Sequence, residues 1–312
     1  MSFNLKKKCV LIRNPSYNQT NVIRSLILVL LLLVAVVTSP ILYHTYIFYN
    51  TGHVAFPSGE SDLRQSKVYL IGSRHQPTVS YNADSLYQQL EKIRPDVILL
   101  EWDSNFFNNN SVKWQYRQVI PPYYKKINNL EILGATKYSK NHEKVILAPF
   151  EWDSTSLIHQ QIRGKSRTSM MKALWNTKSD TSTQVLKECG KLRSDMLNLQ
   201  DLPSFNTNLN DSLMERFINL EYEVIPSLVL RNDVLKEYHP IAEKFKDYWP
   251  IRNSNMGKNI LQAINEYPKS KIVVLTGFRH RYFLRQYLSR RSSDDDFELL
   301  DYQGSSLALP EN

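Results

Sequence analysis

Short apolar runs alternate along this chain with longer segments in which apolar residues recur every three or four positions. The runs have the length and composition of buried strands and occupy residues 67–71, 96–100, 144–150 and 271–276. Helical spacing over residues 81–93, starting near Asn82 or Asp84, fills the gap between the first two runs. A strand, a helix and a strand in so short a stretch predict a βαβ unit, with the two strands paired in parallel through a right-handed connection.

Helical spacing continues through most of the second half of the chain. It covers residues 156–250 with a break at 206–211, then residues 252–267 and 282–288, and residues 297–300 are expected to form an edge strand. This mixture of strands and helices predicts an α/β fold with mainly parallel strands. Sites in such folds lie at the C-terminal ends of the strands.

Residues that could bind a metal or act in catalysis follow closely after three of the predicted strands. The first strand leads into a Gly-x-x-His motif that runs from Gly72 to His75, and the last leads into a second one, from Gly277 to His280. The 96–100 run is followed at once by Glu101. A glycine three residues before each histidine is expected to let the backbone turn sharply where the strand ends. One histidine after a strand is common, whereas two in matching positions indicate one shared site that includes Glu101.

Charged residues beside these motifs extend the candidate site. Arg74 and Arg279 hold the same place in the two Gly-x-x-His motifs, where they can either bind an anionic substrate or point into solvent. The sequence Glu-Trp-Asp-Ser follows one strand at Glu101 and recurs after another at Glu151. The repeat predicts equivalent strand ends, so Glu151 joins the acids expected at this edge of the sheet.

Two imidazoles and a carboxylate suit a divalent cation such as zinc, manganese, iron, cobalt or nickel, with room for a water molecule. The cation would lower the pKa of that water and polarise a carbonyl group. The same side chains could instead act without metal, with a histidine or Glu101 as the general base. The spacing leaves both alternatives open. No His-Glu-x-x-His sequence is present, so the chain is not an ordinary zincin.

The N-terminal part of the chain has the pattern of a membrane anchor. Residues 26–43 are uncharged and apolar, and the length of this segment is about the minimum for a membrane-spanning helix. Every Lys and Arg before them lies within residues 1–25 and none follows until Arg64, which predicts a cytoplasmic N-terminus and an extracytoplasmic body. We therefore interpret residues 26–43 as a signal anchor in a single-pass membrane protein, followed by a stalk at residues 44–66. A cleaved signal peptide and an apolar core helix are the alternatives.

Composition indicates that the rest of the chain is globular and argues against several functional classes. Hydrophobic residues make up 42% of the 312 positions and aromatic residues 11%, so a body at residues 67–303 can bury a core, with residues 304–312 as a tail. The net charge of +9 includes no basic stretch interleaved with aromatics, which argues against nucleic-acid binding. The chain has only nine glycines and no phosphate-binding loop, which argues against an NTPase or a dinucleotide enzyme. Cys9 and Cys189 lie on opposite sides of the predicted span and cannot form an internal disulfide.

Four short motifs together give the chain a resemblance to a known family. They lie at residues 72–75, 95–101, 252–256 and 277–280, and the third contains the adjacent pair Arg252 and Asn253. In this order they resemble the TraB/TIKI family, part of the superfamily that includes erythromycin esterase and the haem-binding ChaN-like proteins. The resemblance covers about residues 68–288.

The resemblance implies an α/β fold of two related halves with the site between them. It also implies a membrane-tethered metalloprotease that acts on a peptide or protein, with manganese or cobalt as the favoured metal and zinc as a further candidate. On this basis His75, Glu101 and His280 would be the metal ligands and the catalytic residues. Arg252 and Asn253 would face or brace the site.

Members of this superfamily differ in their chemistry, so two other functions stay open. One is an esterase that uses His75 and Glu101 as bases without metal, for which EDTA-insensitive activity is expected. The other is a non-enzymatic binder of haem or of a signalling ligand. Its candidate contacts are tyrosines near the predicted site edge, for which packing in the core is the simpler explanation: Tyr69, Tyr81, Tyr282 and Tyr287.

Overall fold

The structure, a computed structural model, describes the chain from the end of the predicted stalk onward. The described residues are 64–102, 104, 107–108, 111–112, 129–152, 165–292 and 294–307. The predicted cytoplasmic segment, the signal anchor, most of the stalk and the end of the tail lie outside them. Within these ranges, no helix is both long and apolar enough to cross a membrane.

A five-stranded parallel sheet is the centre of the fold. In chain order the strands are β1 Ser66–Ser73, β2 Val97–Leu100, β3 Phe107–Asn108, β4 Ser111–Val112, β5 Ile146–Pro149, β6 Lys271–Gly277 and β7 Phe297–Leu300. Five of them form the sheet in the order β5-β2-β6-β1-β7, with every pair parallel, and β3 and β4 form a separate antiparallel pair. The α/β class and the parallel strands are therefore confirmed, as is the edge strand near the C-terminus.

The predicted direct pairing of the first two strands was wrong. β1 and β2 run in the same direction, but β6 lies between them and pairs with both. Six of the seven residues of β6 are buried, and its run of apolar residues needs cover on both faces of the sheet. A strand of this kind takes a central position, even though it comes from the far end of the chain.

Helices cover both faces of the sheet and extend into a separate helical layer. In chain order they are α1 Ala83–Ile93, α2 Leu130–Asn141, α3 Lys165–Asn176, α4 Asp180–Leu197, α5 Leu202–Phe205, α6 Asn208–Asn219, α7 Ile225–Leu230, α8 His239–Glu266 and α9 Phe278–Ser289. A π-helical turn at Leu220–Val224 joins α6 to α7, and a 3₁₀ turn at Asp233–Tyr238 precedes α8. Asn82 caps α1 by accepting hydrogen bonds from the backbone of Asp84 and Ser85, as its sequence suggests.

Two helix boundaries differ from the predicted ones, and both affect the site. α8 continues through Pro250 instead of ending there, so Arg252 and Asn253 lie in the interior of a 28-residue helix. A proline removes only one hydrogen bond of the helix, and extensive burial around Tyr248 and Trp249 holds the segment in place. α9 begins directly after β6, so His280 lies in the first turn of a helix rather than in a loop.

Alternation of side chains along the strands separates two apolar cores. On one face, Val68, Leu70 and Val274 pack against α8 and α9 through residues such as Ile260 and Leu284. On the other face, the intervening strand residues pack against α1, α2 and α5. A third cluster, built by α3, α4 and α6 to α9, lies over the C-terminal edge of the sheet and includes Trp249 and Tyr282.

The two motif glycines allow close approach of neighbouring groups, not the sharp turn that we predicted. Neither has a positive φ; among the described glycines only Gly304 does. A Cβ on Gly72 would lie 2.9 Å from Cδ of Arg281, at the point where α9 crosses β1. A Cβ on Gly277 would lie 3.1 Å from Nε2 of His75. Glycine at these positions therefore lets α9 and the His75 ring come close to the strand ends.

Polar contacts fix the ends of β1 and α9. The side-chain amide of Asn206 accepts from the backbone N–H of Gly72 and donates to its carbonyl, both at 2.8 Å. Arg281 is fully buried and donates to Asp211 of α6. These bonds attach the helical layer to the edge of the sheet where both Gly-x-x-His motifs end.

Candidate active site

Four neighbouring strands end at one edge of the sheet, and each delivers a charged or titratable side chain there. β1 leads to His75, β2 to Glu101, β5 to Glu151 and β6 to His280. This edge opens into a cavity of about 570 Å³ whose other walls come from the helical layer. His75, Glu101 and His280 line the cavity, whereas Glu151 lies behind it.

Glu101 is buried and held on both carboxylate oxygens. Its Oε2 accepts from Oγ1 of Thr276 at 2.8 Å and from the backbone N–H of Gly277 at 2.6 Å. Its Oε1 faces the two histidines, 3.4 Å from Nε2 of His280 and 3.9 Å from Nε2 of His75. Burial alone would raise the pKa of Glu101, but the surrounding positive charge outweighs it and keeps the pKa below its ordinary value. Glu101 is therefore an ionised carboxylate although its side chain is only 5% exposed.

His280 is oriented by Asn253 and by Trp249. Its Nδ1 donates to Oδ1 of Asn253 at 2.7 Å, while Nδ2 of Asn253 donates to the carbonyl of Trp249. The indole of Trp249 stacks on the imidazole with ring centres 4.3 Å apart. Burial lowers the pKa of His280 well below its ordinary value, so the ring is neutral. Its Nε2 lone pair is directed into the site.

Arg252 connects three of the candidate residues. It donates to Oε1 of Glu101 at 2.8 Å and to Nε2 of His280 at 2.9 Å, and it forms a two-pronged ion pair with Glu151. Only 10% of its side chain is exposed. One guanidinium is shared by two buried carboxylates, and its removal would leave both without compensation in a buried setting. Arg252 therefore lies at the centre of the candidate site.

His75 has a buried partner that the sequence analysis missed. Its Nδ1 lies 3.1 Å from Oε1 of Glu131, and Oγ of Ser73 donates to the same oxygen. The negative charge of Glu131 raises the pKa of His75 to about 9. Glu131 is at the second position of α2, in the first helical turn, where a carboxylate is stabilised by the helix dipole. Asn129, which caps α2, is the local signal that could have located this turn.

The two remaining predicted arginines line the cavity in different ways. Arg279 pairs with the buried Glu221 of the π-helical turn and lies over the ring of Trp249. Arg74 is partly exposed, and its one hydrogen bond within the described ranges goes to the carbonyl of Leu197 at 3.4 Å. Glu221 was not predicted, because nothing in the local sequence distinguishes it from the solvent-facing acids of a polar helix.

The tyrosines considered for haem binding have other positions. None of the four is among the described residues that line the cavity. Tyr282 accepts a hydrogen bond from the Trp249 indole at 3.2 Å, and Tyr81 is buried in the core beside Phe205. Tyr69 and Tyr287 pack at the margins of the two sheet cores.

The donor set has the chemistry of a metal site, but its present contacts are to a guanidinium. Both histidines are anchored through Nδ1 and direct Nε2 towards Glu101, an arrangement typical of metal-ligating histidines with outer partners. In the part of the chain that the structure describes, no three His, Cys, Asp or Glu side chains are placed to hold a metal ion. Arg252 takes the faces of Glu101 and His280 that a cation would need.

Comparisons with known proteins give no family for this chain. No family model, no curated protein and no solved structure matches it.

Proposed function

We propose that this protein is a metal-dependent hydrolase of the TraB/TIKI type, and specifically a metalloprotease that cleaves peptide bonds. The observation that carries the proposal is the meeting of His75, Glu101 and His280 at one edge of the sheet, with the two Nε2 atoms 3.9 and 3.4 Å from the same carboxylate oxygen. These residues come from three different strand ends. Such a convergence beside a cavity is the arrangement expected of a catalytic site in an α/β fold.

In this proposal His75, Glu101 and His280 hold a divalent cation, with manganese or cobalt preferred and zinc as a further candidate. Two imidazoles and a carboxylate suit such ions, and the neutral His280 has a lone pair on Nε2 that now accepts from Arg252. Binding requires Arg252 to withdraw from both Glu101 and His280 and to keep its pair with Glu151. When bound, the cation would supply a water of lowered pKa and polarise the scissile carbonyl.

The chain's own residues hold and orient this site. Glu131 fixes the His75 ring through Nδ1, and Asn253 does the same for His280. The hydrogen bonds from Thr276 and Gly277 keep the Glu101 carboxylate facing the histidines. Arg252 is well placed to donate to negative charge that develops on a substrate oxygen, since preorganised donors are most effective in a site with little water.

A second candidate is metal-free hydrolysis, as by an esterase, and the position of Arg252 favours it. The guanidinium already pairs with Glu101 and contacts Nε2 of His280, so its positive charge lies where a metal cation would bind. In that case Glu101 or a histidine would take the proton from water as general base, and Arg252 would stabilise the oxyanion.

We extend the proposal to the parts of the chain outside the described residues. Residues 26–43 would anchor the protein in a membrane as a single span, with the N-terminus in the cytoplasm and the hydrolase domain outside. The related halves implied by the family resemblance are supported by paired motifs. The Gly-x-x-His motifs follow the adjacent strands β1 and β6, and the two Glu-Trp sequences follow the adjacent strands β2 and β5.

The first test is the metal content of the full-length protein, purified without chelator and reloaded with manganese, cobalt or zinc. His75→Ala and His280→Ala are expected to lose a near-stoichiometric metal. His142→Ala is the matched control. This histidine follows the end of α2, pairs with Glu91 of α1 and does not line the cavity. No metal under any loading would contradict the metalloprotease. EDTA-insensitive ester cleavage would then support the second candidate.

A further inference from the structure

The wall of the cavity carries more positive than negative charge. Five arginines line it, at positions 74, 167, 193, 252 and 279, against two carboxylates, at positions 101 and 221. Arginine is always protonated, so this excess persists at every physiological pH. An excess of this kind in a concave, partly desolvated wall attracts anions more strongly than the same charges would on an open surface.

Three of the five arginines already have carboxylate partners. Arg252 is paired with Glu101 and with Glu151 behind the wall. Arg167 and Arg279 share one carboxylate, the buried Glu221. These contacts account for all the acids at the wall, so the remaining arginines have none left to bind.

Of the five arginines that line the cavity, Arg74 and Arg193 are the two without a carboxylate partner among the described residues. Arg74 donates only to the carbonyl of Leu197, at the C-terminal end of α4. Arg193 is exposed, lies one helical turn earlier on α4, and makes none of the described ion pairs. The nearby acid of that helix, Asp195, is paired with Lys191 instead. Two guanidiniums are thus available at one rim of the cavity, where Arg74, just after β1, reaches the C-terminal end of α4.

Aromatic rings provide a different surface in the same cavity. Tyr222 stacks on Phe245 and on Trp249, with ring centres 5.5 and 4.9 Å apart. All three rings line the cavity. Phe245 and Trp249 are buried, so the apolar surface open to a ligand is mainly the half-buried Tyr222 ring, which their stacking already orders.

We infer that the cavity binds acidic peptides, with a substrate carboxylate held by Arg74 and Arg193 and a neighbouring apolar side chain held against the aromatic wall. The guanidinium group matches a carboxylate in shape and charge, and two donors to one anion fix its position as well as its identity. The peptide nature of the ligand rests on the proposed function, whereas the demand for a carboxylate rests on the cavity itself. The carboxylate can be an acidic side chain or the C-terminus of the peptide.

The test is equilibrium binding of four labelled peptides that share the sequence Ala-Ala-Phe-Xaa-Ala-Ala. Xaa is Glu or Gln, and the C-terminus is either free or amidated. Fluorescence anisotropy is measured with the full-length protein in EDTA, which prevents metal-dependent cleavage, and the peptides are checked to be intact afterwards, so binding alone is read. Failure of the metalloprotease proposal therefore leaves this test intact.

The variants are Arg74→Gln, Arg193→Gln and the double variant, each checked for folding by circular dichroism. Arg290→Gln is the matched control, because it removes the same charge from an exposed position at the end of α9 that does not line the cavity. Loss of a charged hydrogen bond corresponds to about tenfold or more in affinity. We expect the double variant to lose at least about tenfold for the preferred acidic peptide and less than about twofold for the neutral amide.

The four peptides also separate the two sources of the carboxylate. Tighter binding of the Glu amide than of the Gln amide indicates an acidic side chain, and tighter binding of the Gln free acid indicates the C-terminus. The inference is overturned if all four bind the wild-type protein equally or not at all, or if Arg290→Gln lowers affinity as much as the rim variants do. Should a rim variant not fold, the comparison of peptides on the wild-type protein still decides the question.

Discussion

Replacement of Arg252 by methionine is the most direct perturbation of the candidate site. The guanidinium donates to Glu101 at 2.8 Å and pairs with Glu151, and both carboxylates are at least 90% buried. Arg252→Met fills a similar volume but leaves two buried negative charges without their main partner. Breaking a buried pair in this way costs about 3–5 kcal/mol, so we expect a loss of that size in the free energy of unfolding.

The loss can be measured by urea unfolding of the full-length protein in mild detergent with EDTA, followed by tryptophan fluorescence. Arg216→Met is the matched control, because the Arg216 side chain is 66% exposed and its pair with Glu188 is on the surface. Such pairs contribute about 0–1 kcal/mol. Adding Glu151→Gln to Arg252→Met should recover part of the loss, since one of the two uncompensated charges is then removed.

A divalent cation should distinguish the two proposed chemistries in the same variant. If His75, Glu101 and His280 form a metal site, manganese or zinc can replace the missing charge and should stabilise Arg252→Met more than the wild-type protein. Stabilisation by bound ligand grows with its concentration above the dissociation constant, so a titration reports the affinity. A loss no larger than that of the Arg216 control would refute the reasoning about buried charge. Absence of any cation effect would count against the metal site.

Three further predictions concern residues of the candidate site and their neighbours. Asn253→Ala should lower metal affinity or activity by about 10–100-fold, because His280 loses the acceptor that fixes its tautomer, whereas Asn253→Asp keeps that acceptor and should retain most of the affinity. The pKa of His75 is raised to about 9 by Glu131, so the stability contributed by this pair should be complete below about pH 6.5 and lost as the pH rises through about 9. The His75 side chain is 49% exposed, so we expect the pair to contribute only on the order of 1 kcal/mol to the free energy of unfolding. In urea unfolding with EDTA, wild type and His75→Gln should differ by this amount at pH 6, and the difference should vanish by pH 10. Gly277→Ala would place a Cβ 3.1 Å from the His75 ring, which can shift into the cavity, so we expect a folded protein with activity lowered by about tenfold or more; full activity would contradict the close-approach role of this glycine.

The sequence identified the strands well because each is a local signal. Runs of Val, Ile and Leu flanked by polar residues predicted four strands and the α/β class, and the structure has strands at all four places. The order of the strands was not available from local sequence. The position of β6 between β1 and β2 depends on how several apolar faces are covered at once, which no single segment reveals.

The candidate site was predictable where its residues follow strands or belong to a recognised motif. His75 and Glu101 stand out because they follow apolar runs. Glu131 and Glu221 lie in helices whose charged residues look alike in sequence, and only the fold shows that these two are buried, at 2% and 3% exposure. Arg252 was singled out by its motif, but its pairing with Glu151 joins residues about a hundred positions apart, and that distance hides such a pair from local analysis.

The central place of β6 has a consequence for how the protein is made. β6 pairs with residues far away in the chain; Lys271, for example, pairs with Lys67. β1 and β2 therefore lack their shared neighbouring strand until nearly the whole chain has been synthesised. Pairings of such long range are slow to form and leave strand edges exposed in the meantime. The candidate site is therefore incomplete in the nascent chain, and a product truncated before residue 271 would lack both the sheet centre and His280. We expect the N-terminal portion to depend on chaperones during synthesis, and the proposed hydrolytic activity to arise only once β6 has been inserted.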